Sequence, residues 1–121
     1  MIRIKRAYDL PSRADGTRVL VDRLWPRGCT KEALDVAEWA KDATPSPELR
    51  KAYHAGALAF PAFEAAYRRE LEGPQARAGL ETLLGYARAG DLTLVTATKD
   101  ERQNHALVLK AVLESHLKER P

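Results

Sequence analysis

The sequence has few of the residues that build disulfide, thiolate or membrane structures. Cys29 is the only cysteine among 121 residues, which excludes an internal disulfide, a zinc site of paired thiolates and redox chemistry between two thiols. No apolar stretch has the length of a secretory signal or a membrane span. We therefore expect a cytoplasmic protein without a membrane partner.

Short catalytic and cofactor motifs are also missing. The chain contains no glycine-rich dinucleotide fingerprint, no Walker-type Gly-Lys-Ser/Thr, no His-Glu-x-x-His and no Gly-x-Ser-x-Gly. The histidines, at positions 54, 105 and 116, lack metal-ligand spacing, so we expect no dedicated metal site. No cofactor and no oligomeric state follow from these patterns.

The composition that is present is that of an ordinary globular chain, and it predicts one domain over residues 1–121. Asn and Gln are scarce while Ala, Arg and Glu are abundant, a bias typical of a thermophile. Positive charge is concentrated at the start: residues 1–31 carry eight Lys or Arg against three Asp, and residues 32–121 carry twelve against fourteen acidic residues. This asymmetry favours a local anion site, with a flat nucleic-acid patch as the alternative.

Three segments have the pattern of β-strands. Ile2 and Ile4 alternate with basic residues, which predicts a half-buried or edge strand over about 2–8. The runs 19–21 and 92–96 are rich in Val, Leu and Thr, as in strands that are covered on both faces. We expect these two runs to be the central strands.

Four segments have helical periodicity. A hydroxyl, a proline and an acid at 46–48 predict a capped helix over about 47–55. A second helix opens at Pro61 and ends at the Gly-Pro pair that follows it, a leucine stripe marks a third over 80–87, and the last helix is predicted over about 102–118.

This order of elements predicts an α/β fold. We expect a small, mainly parallel sheet flanked by about four helices, in which the strands at 19 and 92 are parallel. Ligands of such sheets gather beyond the carboxyl ends of the strands. The segments Asp22–Gly28 and Ala97–Asp100 occupy those positions, so they are the places to seek a site.

The first of these segments holds two arginines, a tryptophan and an aspartate. A guanidinium binds carboxylate or phosphate through two parallel hydrogen bonds, and an indole stacks on planar ligands. We therefore predict Arg23, Trp25 and Arg27 as ligand-binding residues and Asp22 as a catalytic residue. The structural alternative is equally physical, with Trp25 as a core anchor and Arg23 as the partner of Asp22 or Asp42.

The second segment contributes Lys99 and Asp100 as catalytic candidates and Asn104 as a ligand-binding candidate. A lysine here binds an anion or, if burial lowers its pKa, acts as a base. Asp100 has the chemistry to accept a proton or hold a metal, but its position favours the simpler role of N-cap of the last helix.

A third set lies in the middle of the chain. Lys41, Ser46 and Arg50 are predicted to bind the ligand, because Ser46 begins a helix whose backbone N–H groups attract anions, although capping alone explains this serine. Cys29 follows an Arg-Gly turn that would lower its pKa, yet no neighbouring histidine serves as its base. Nucleophilic catalysis by Cys29 is therefore the least favoured of these roles.

These residues also carry a resemblance to a known family. The matching positions are the run Val19–Gly28 with its Asp-Arg-Leu-Trp-Pro-Arg-Gly heptad, then Lys31-Glu32, Trp39 with Lys41-Asp42, Pro45-Ser46 with Leu49-Arg50, Lys99-Asp100 and Asn104-His105-Ala106. Over almost its full length the chain resembles the YeaO-like family, a domain of unknown function. The resemblance implies a small bacterial-type cytoplasmic α/β protein whose matching polar residues, Lys31 among them, share one site. Two positions depart from the family pattern, Cys29 in place of an aliphatic residue and the loosely matched His54.

Three functions are compatible with the sequence. The leading hypothesis is a small anionic ligand, a phosphorylated metabolite or nucleotide, bound at the arginine-rich loop with enzymatic turnover left open. This hypothesis requires Arg27 and Lys99 to emerge on the same side of the molecule. A nucleic-acid-binding module is the first alternative, since Tyr8 and Trp25 lie within the basic segment. A non-catalytic interaction domain that uses the last helix as an oligomer surface is the second.

Overall fold

A computed structural model describes residues 1–119 and contains a sheet of four strands that are all parallel. The strands are β1 (Ile2–Arg6), β2 (Thr17–Leu20), β3 (Glu38–Trp39) and β4 (Leu92–Thr96), in the order β1-β4-β2-β3. β4 is fully buried and pairs with both β1 and β2. The predicted parallel pairing of the strands at 19 and 92 is therefore confirmed.

The strand ends differ slightly from the sequence prediction. β1 ends at Arg6 rather than near residue 8, because the chain turns there and the Asp9 N–H donates to the Arg6 carbonyl at 3.1 Å. β3 has only two residues, which is too short to show a period of two in the sequence.

The helices are α1 (Lys31–Leu34), α2 (Pro47–His54), α3 (Phe60–Leu71), α4 (Pro74–Ala89) and α5 (His105–Glu119), with short 3-10 helices at Arg13–Asp15 and Lys41–Ala43. Prolines at the first turns of α2, α3 and α4 start these helices, as the sequence indicated for α2 and α3. α4 begins earlier than the stripe predicted over 80–87, because Pro74, which was interpreted only as the end of the preceding helix, also starts this one. Four of the five helices were predicted, and α1 was missed because it has a single turn. None of the helices within 1–119 is long and apolar enough to cross a membrane.

The last helix begins three residues later than predicted. Asn104 is its cap, since its Oδ1 accepts the Leu107 N–H at 2.8 Å. Asp100 instead accepts the N–H groups of Arg102 and Gln103, which closes a turn ahead of the helix. The prediction of Asp100 as the N-cap was therefore wrong, because two cap-forming side chains lie one turn apart and only the later one is joined to α5.

The two faces of the sheet are covered unequally. The larger core lies between one face of the sheet and α2 to α5, with Leu83, Leu94 and Leu109 fully buried in it. A smaller cluster on the other face packs α1 against the sheet, with Leu34 at its centre and the two tryptophans at its rim. The α/β fold class is confirmed, and both layers end at the carboxyl edge of the sheet, where the loops that carry polar residues begin.

Candidate functional site

A cavity of about 400 Å³ opens at the carboxyl edge of the sheet. The loop after β2, the loop after β4 and helix α2 form its walls, so the two segments proposed from the sequence meet in space. Seven predicted site residues line this cavity: Asp22, Arg23, Trp25, Arg27, Arg50, Lys99 and Asn104. Arg27 and Lys99 therefore lie on the same side of the molecule, as the leading hypothesis required.

Four cationic side chains surround the cavity, and Asp22 is the only carboxylate in its wall. Within residues 1–119, none of Arg23, Arg27, Arg50 and Lys99 lies within 4.0 Å of a carboxylate oxygen. The Arg23 Nε donates to the Pro45 carbonyl at 3.2 Å, which orients its guanidinium. Neither Asp22 nor Asp42 is its partner, so the ion pair considered from the sequence is not formed.

Asp22 is held by three donors. Its Oδ1 accepts the Thr96 hydroxyl at 2.6 Å and the His105 Nε2 at 3.0 Å, and its Oδ2 accepts the Ala97 N–H at 2.7 Å. Burial raises the pKa of Asp22, but the bonds from His105, Thr96 and Ala97 stabilise the carboxylate and leave its pKa below the usual value. Asp22 is thus an ionised group, and both of its carboxylate oxygens accept hydrogen bonds from the protein.

A small hydrogen-bond network extends from this carboxylate. The Thr96 hydroxyl has one proton, which it gives to Asp22, so the Thr98 hydroxyl must be the donor in the 2.7 Å contact between the two threonines. The His105 Nε2 also lies 2.9 Å from the Val21 carbonyl. Thr96 and Thr98 were not predicted as site residues, because Thr96 reaches Asp22, 74 positions away in the chain, and Thr98 joins the network only through Thr96. His105 lies at a position that matches the family pattern but was assigned no role, because its partners Val21 and Asp22 are 84 and 83 positions away.

Aromatic rings form the apolar wall of the cavity. Tyr53 stacks on Phe63 with ring centroids 4.5 Å apart, and both line the cavity. Trp25 packs edge-on against Trp39 at 5.4 Å, and its Nε1 donates to the Cys29 carbonyl at 2.6 Å. Trp25 is thus anchored to the protein on its polar edge while another part of it faces the cavity.

Four of the predicted site residues lie outside this cavity. Lys31 is exposed on α1, and the Lys41 Nζ sits 3.9 Å from the centre of the Trp39 ring. Ser46 caps α2 and donates its hydroxyl to Glu70 at 2.6 Å, while Asp100 is exposed in the turn before α5. The N–H groups that Asp100 accepts lower its pKa. The structure gives Ser46 a capping role and Asp100 a role in the turn before α5, and it assigns no common pocket to the four.

The remaining candidates have structural surroundings. Asn104 lines the cavity but is buried, and its amide donates to the Asp100 carbonyl while its oxygen caps α5. Cys29 packs at the edge of the smaller core. No group of three His, Cys, Asp or Glu side chains with metal-binding geometry occurs in the part of the chain that the structure describes.

A larger cleft, of about 520 Å³, lies between α3, α4 and α5. Arg68, Arg77 and Arg88 line it together with Glu72, Glu81 and Glu119, so its wall carries charges of both signs. The cleft therefore lacks the one-sided charge found at the carboxyl edge.

Comparisons with known proteins point to one family. A family model described as "DUF488-N3i: Inactive DUF488-N3 subclade" matches residues 1–121. The chain is 44% identical over 114 residues to the uncharacterised protein YeaO of Escherichia coli (strain K12), which covers 94% of this chain and 97% of that protein. It is 41% identical over 112 residues to an uncharacterised protein of Mycobacterium tuberculosis (strain H37Rv), covering 93% of this chain and 92% of that relative. No solved structure matches the chain significantly.

Proposed function

This chain belongs to the YeaO-like DUF488-N3i family, and from that premise we propose that it binds a small organic anion in the carboxyl-edge cavity without converting it. The ligand class is a phosphorylated metabolite or a nucleotide. The proposal rests on one observation. Four cationic side chains surround the cavity, and Asp22, the one carboxylate among the described residues of its wall, already accepts hydrogen bonds from three groups of the protein. A negatively charged ligand would neutralise these four cations and would therefore be electrostatically complementary to the cavity wall.

Binding without turnover accounts for two separate facts. The family is described as an inactive subclade. Asp22 is the best placed of the predicted catalytic residues, but both of its carboxylate oxygens accept hydrogen bonds from the protein. Its pKa is lowered, whereas a carboxyl group that acts as a general acid needs a raised pKa. Lys99 is exposed at the rim, where its side chain is available to attract an anion.

The size and chemistry of the cavity favour an organic anion over an inorganic one. A volume of about 400 Å³ is within the range of small-molecule and cofactor sites. Phe63 and Tyr53 supply an apolar wall, and such a wall gains binding energy only from an apolar or planar part of a ligand.

The test is a thermal-melting screen with inorganic phosphate, ribose 5-phosphate, AMP and citrate. A ligand at about 100 times its Kd raises the melting temperature by roughly 10 °C. We expect Arg50→Gln to reduce that shift, because Arg50 lines the cavity. Lys51→Gln is the matched control, since the next residue of the same helix is exposed and lies outside the cavity wall.

Two results would count against the proposal. A melting temperature that none of the four compounds changes would leave the cavity without an anionic ligand. Equal losses for Arg50→Gln and Lys51→Gln would show that general positive charge, rather than the cavity, attracts the ligand.

Nucleic-acid binding remains the second candidate, because of one exposed aromatic side chain. Tyr8 is 51% exposed, its hydroxyl donates to the Arg27 carbonyl at 3.1 Å, and the Arg6 guanidinium lies 5.6 Å from its ring centre. A ring with a cation on one face is a platform on which a base can stack. Single-strand binding that weakens steeply with salt and fails in Tyr8→Leu would favour this candidate over a small anion.

The protein-interaction alternative has less support. Ala106, Leu109 and Leu113 of α5 are buried inside the chain, against the sheet and the neighbouring helices. The apolar residues that would have formed an oligomer surface are therefore already covered.

A further inference from the structure

The His105 ring is fixed by two acceptors at one nitrogen. Its Nε2 lies 2.9 Å from the Val21 carbonyl and 3.0 Å from the Asp22 Oδ1. A carbonyl has no proton to give, and the three donors around Asp22 keep that carboxylate ionised. The proton between these groups must therefore belong to Nε2 of His105.

The other ring nitrogen is left for the cavity. Nδ1 of His105 has no hydrogen-bond partner among residues 1–119, and the only buried polar side-chain atom without a partner in that range is the Arg6 Nε. Nδ1 must then be reached by solvent, and His105 lines the cavity. With its proton on Nε2, the ring in its neutral form carries a lone pair at Nδ1.

Asp22 has one acceptor position left, on Oδ2, but its negative charge repels an anionic ligand. Its Oδ1 already accepts from Thr96 and His105, and its Oδ2 accepts from the Ala97 N–H. The polar group that this pair presents is therefore the histidine ring, and the aspartate acts through it.

We propose that His105 binds the ligand through Nδ1, which accepts a hydrogen bond from a ligand O–H or N–H, so that the site selects hydroxylated organic phosphates over phosphate esters that have no such donor, such as methyl phosphate. This inference rests on the proposed function and deepens it by naming a second recognition element beside the cationic rim. Val21, Asp22 and Thr96 are positioning groups, because they hold the tautomer and do not reach the ligand. Sugar phosphates and nucleotides have the required combination of phosphate and donor.

The test separates the two ring nitrogens with one substitution. In His105→Gln, the side-chain amide nitrogen reaches the position of Nε2 and donates to Val21 and Asp22, while no atom remains at the position of Nδ1. We expect its melting temperature to stay close to the wild-type value. Calorimetry should show ribose 5-phosphate binding about 2- to 10-fold more weakly to His105→Gln, the value of one hydrogen bond. Methyl phosphate, whose dianion at about pH 8 has no O–H or N–H to donate to Nδ1, should bind equally to both proteins.

The outcomes distinguish this inference from the proposed function. If ribose 5-phosphate and methyl phosphate bind the wild type equally tightly, or lose affinity equally in His105→Gln, the donor-specific contact does not exist although the anion site does. If neither compound binds the wild type, the proposed function fails and this inference fails with it.

A spectroscopic readout checks the chemistry directly. Two-bond ¹H–¹⁵N spectra at about pH 8, assigned with His54→Gln and His116→Gln, should show the His105 proton on Nε2 and a lone pair on Nδ1. Addition of ribose 5-phosphate should move the Nδ1 resonance, as expected when that nitrogen accepts a hydrogen bond. A proton on Nδ1, in either the free or the bound protein, would overturn the inference.

Discussion

Cationic side chains have carboxylate partners at the amino end of the parallel sheet but lack them at its carboxyl end, within residues 1–119. At the amino end, Arg18 is 4% exposed, donates to Asp15 at 2.8 Å and to the Leu34 carbonyl at 2.7 Å, and Lys5 lies 3.1 Å from the same carboxylate. At the carboxyl end, Arg27, Lys99 and their neighbours have no carboxylate partner among residues 1–119. A cation that is paired with a carboxylate of the protein stabilises the fold, whereas a cation without such a partner is available to bind a ligand.

The aspartates at the two ends are held in similar ways. Burial raises the pKa of Asp15, while donors from Ser12, Arg18 and Lys5 lower it further than burial raises it. Asp22 has the same balance of burial against hydrogen bonds at the opposite end. The ends therefore differ in their cations and not in their acids, which is why the net positive charge gathers around only one of them.

The largest expected effect comes from neutralising one arginine at each end. Arg18→Gln leaves Asp15 and the Leu34 carbonyl short of a buried donor, so we expect it to lower the free energy of unfolding by about 3–5 kcal/mol. Arg27→Gln is the matched variant, and because Arg27 is exposed without an ion pair, its cost should be about 0.5 kcal/mol or less. Urea titrations measure both. Similar losses for the two variants would end the contrast drawn between the ends of the sheet.

A smaller loss is expected from the backbone of the amino end. Gly16 has φ +63°, and a Cβ there would overlap the Asp91 carbonyl, which accepts the Thr17 N–H. Gly16→Ala should therefore cost about 2–4 kcal/mol in a thermal or urea titration. The control is Gly85→Ala in α4, where a Cβ meets no atom within 4 Å and helix propensity should add about 0.5–1 kcal/mol of stability. A neutral result at Gly16 would show that this turn adapts to a side chain.

The smallest effect is expected from removing the charge of Asp22 at the carboxyl end of the sheet. Because the native pKa of Asp22 lies below the usual 3.8, its carboxylate stabilises the fold at neutral pH, and this contribution is lost as the pH falls through the native pKa. Asp22→Asn should cost about 1–3 kcal/mol at pH 7 and show a shallower loss of stability below about pH 4. Urea titrations from pH 7 to pH 3 measure both. Parallel pH profiles for the variant and the wild type would show that Asp22 has no part in acid unfolding.

Much of the fold could be predicted from the sequence because its signals are local. The apolar run at 92–96 marked β4, and the Ser-Pro-Glu start at 46–48 marked α2. α1 and β3 were not predicted, because they have only four and two residues and are too short for a hydrophobic period to repeat. Asp100 and Asn104 both have the chemistry of a helix cap, and only their packing decides between them.

The site was predictable only in part. The strand-end rule located the loops that bear Asp22, Arg27 and Lys99, because parallel strands bring their carboxyl ends to one edge. His105 was overlooked, since it reads as a solitary histidine until the fold brings it to Asp22. Ser46 and Lys41 were included because their residue types are suited to binding anions. In the fold, however, the Ser46 hydroxyl donates to Glu70, and the Lys41 ammonium lies over the Trp39 ring.

By itself, the sequence determined the α/β class, the central strands, the starts of α2 and α3 and the arginine-rich loop, because these depend on interactions between residues a few positions apart. Only the tertiary structure decided that Arg18 is buried in an ion cluster while Arg27 faces an open cavity. The two residues are chemically identical, and their environments come from contacts with distant segments. Long-range packing sets the burial and the charge partners of a side chain, and those two quantities separate a structural cation from one that can bind a ligand.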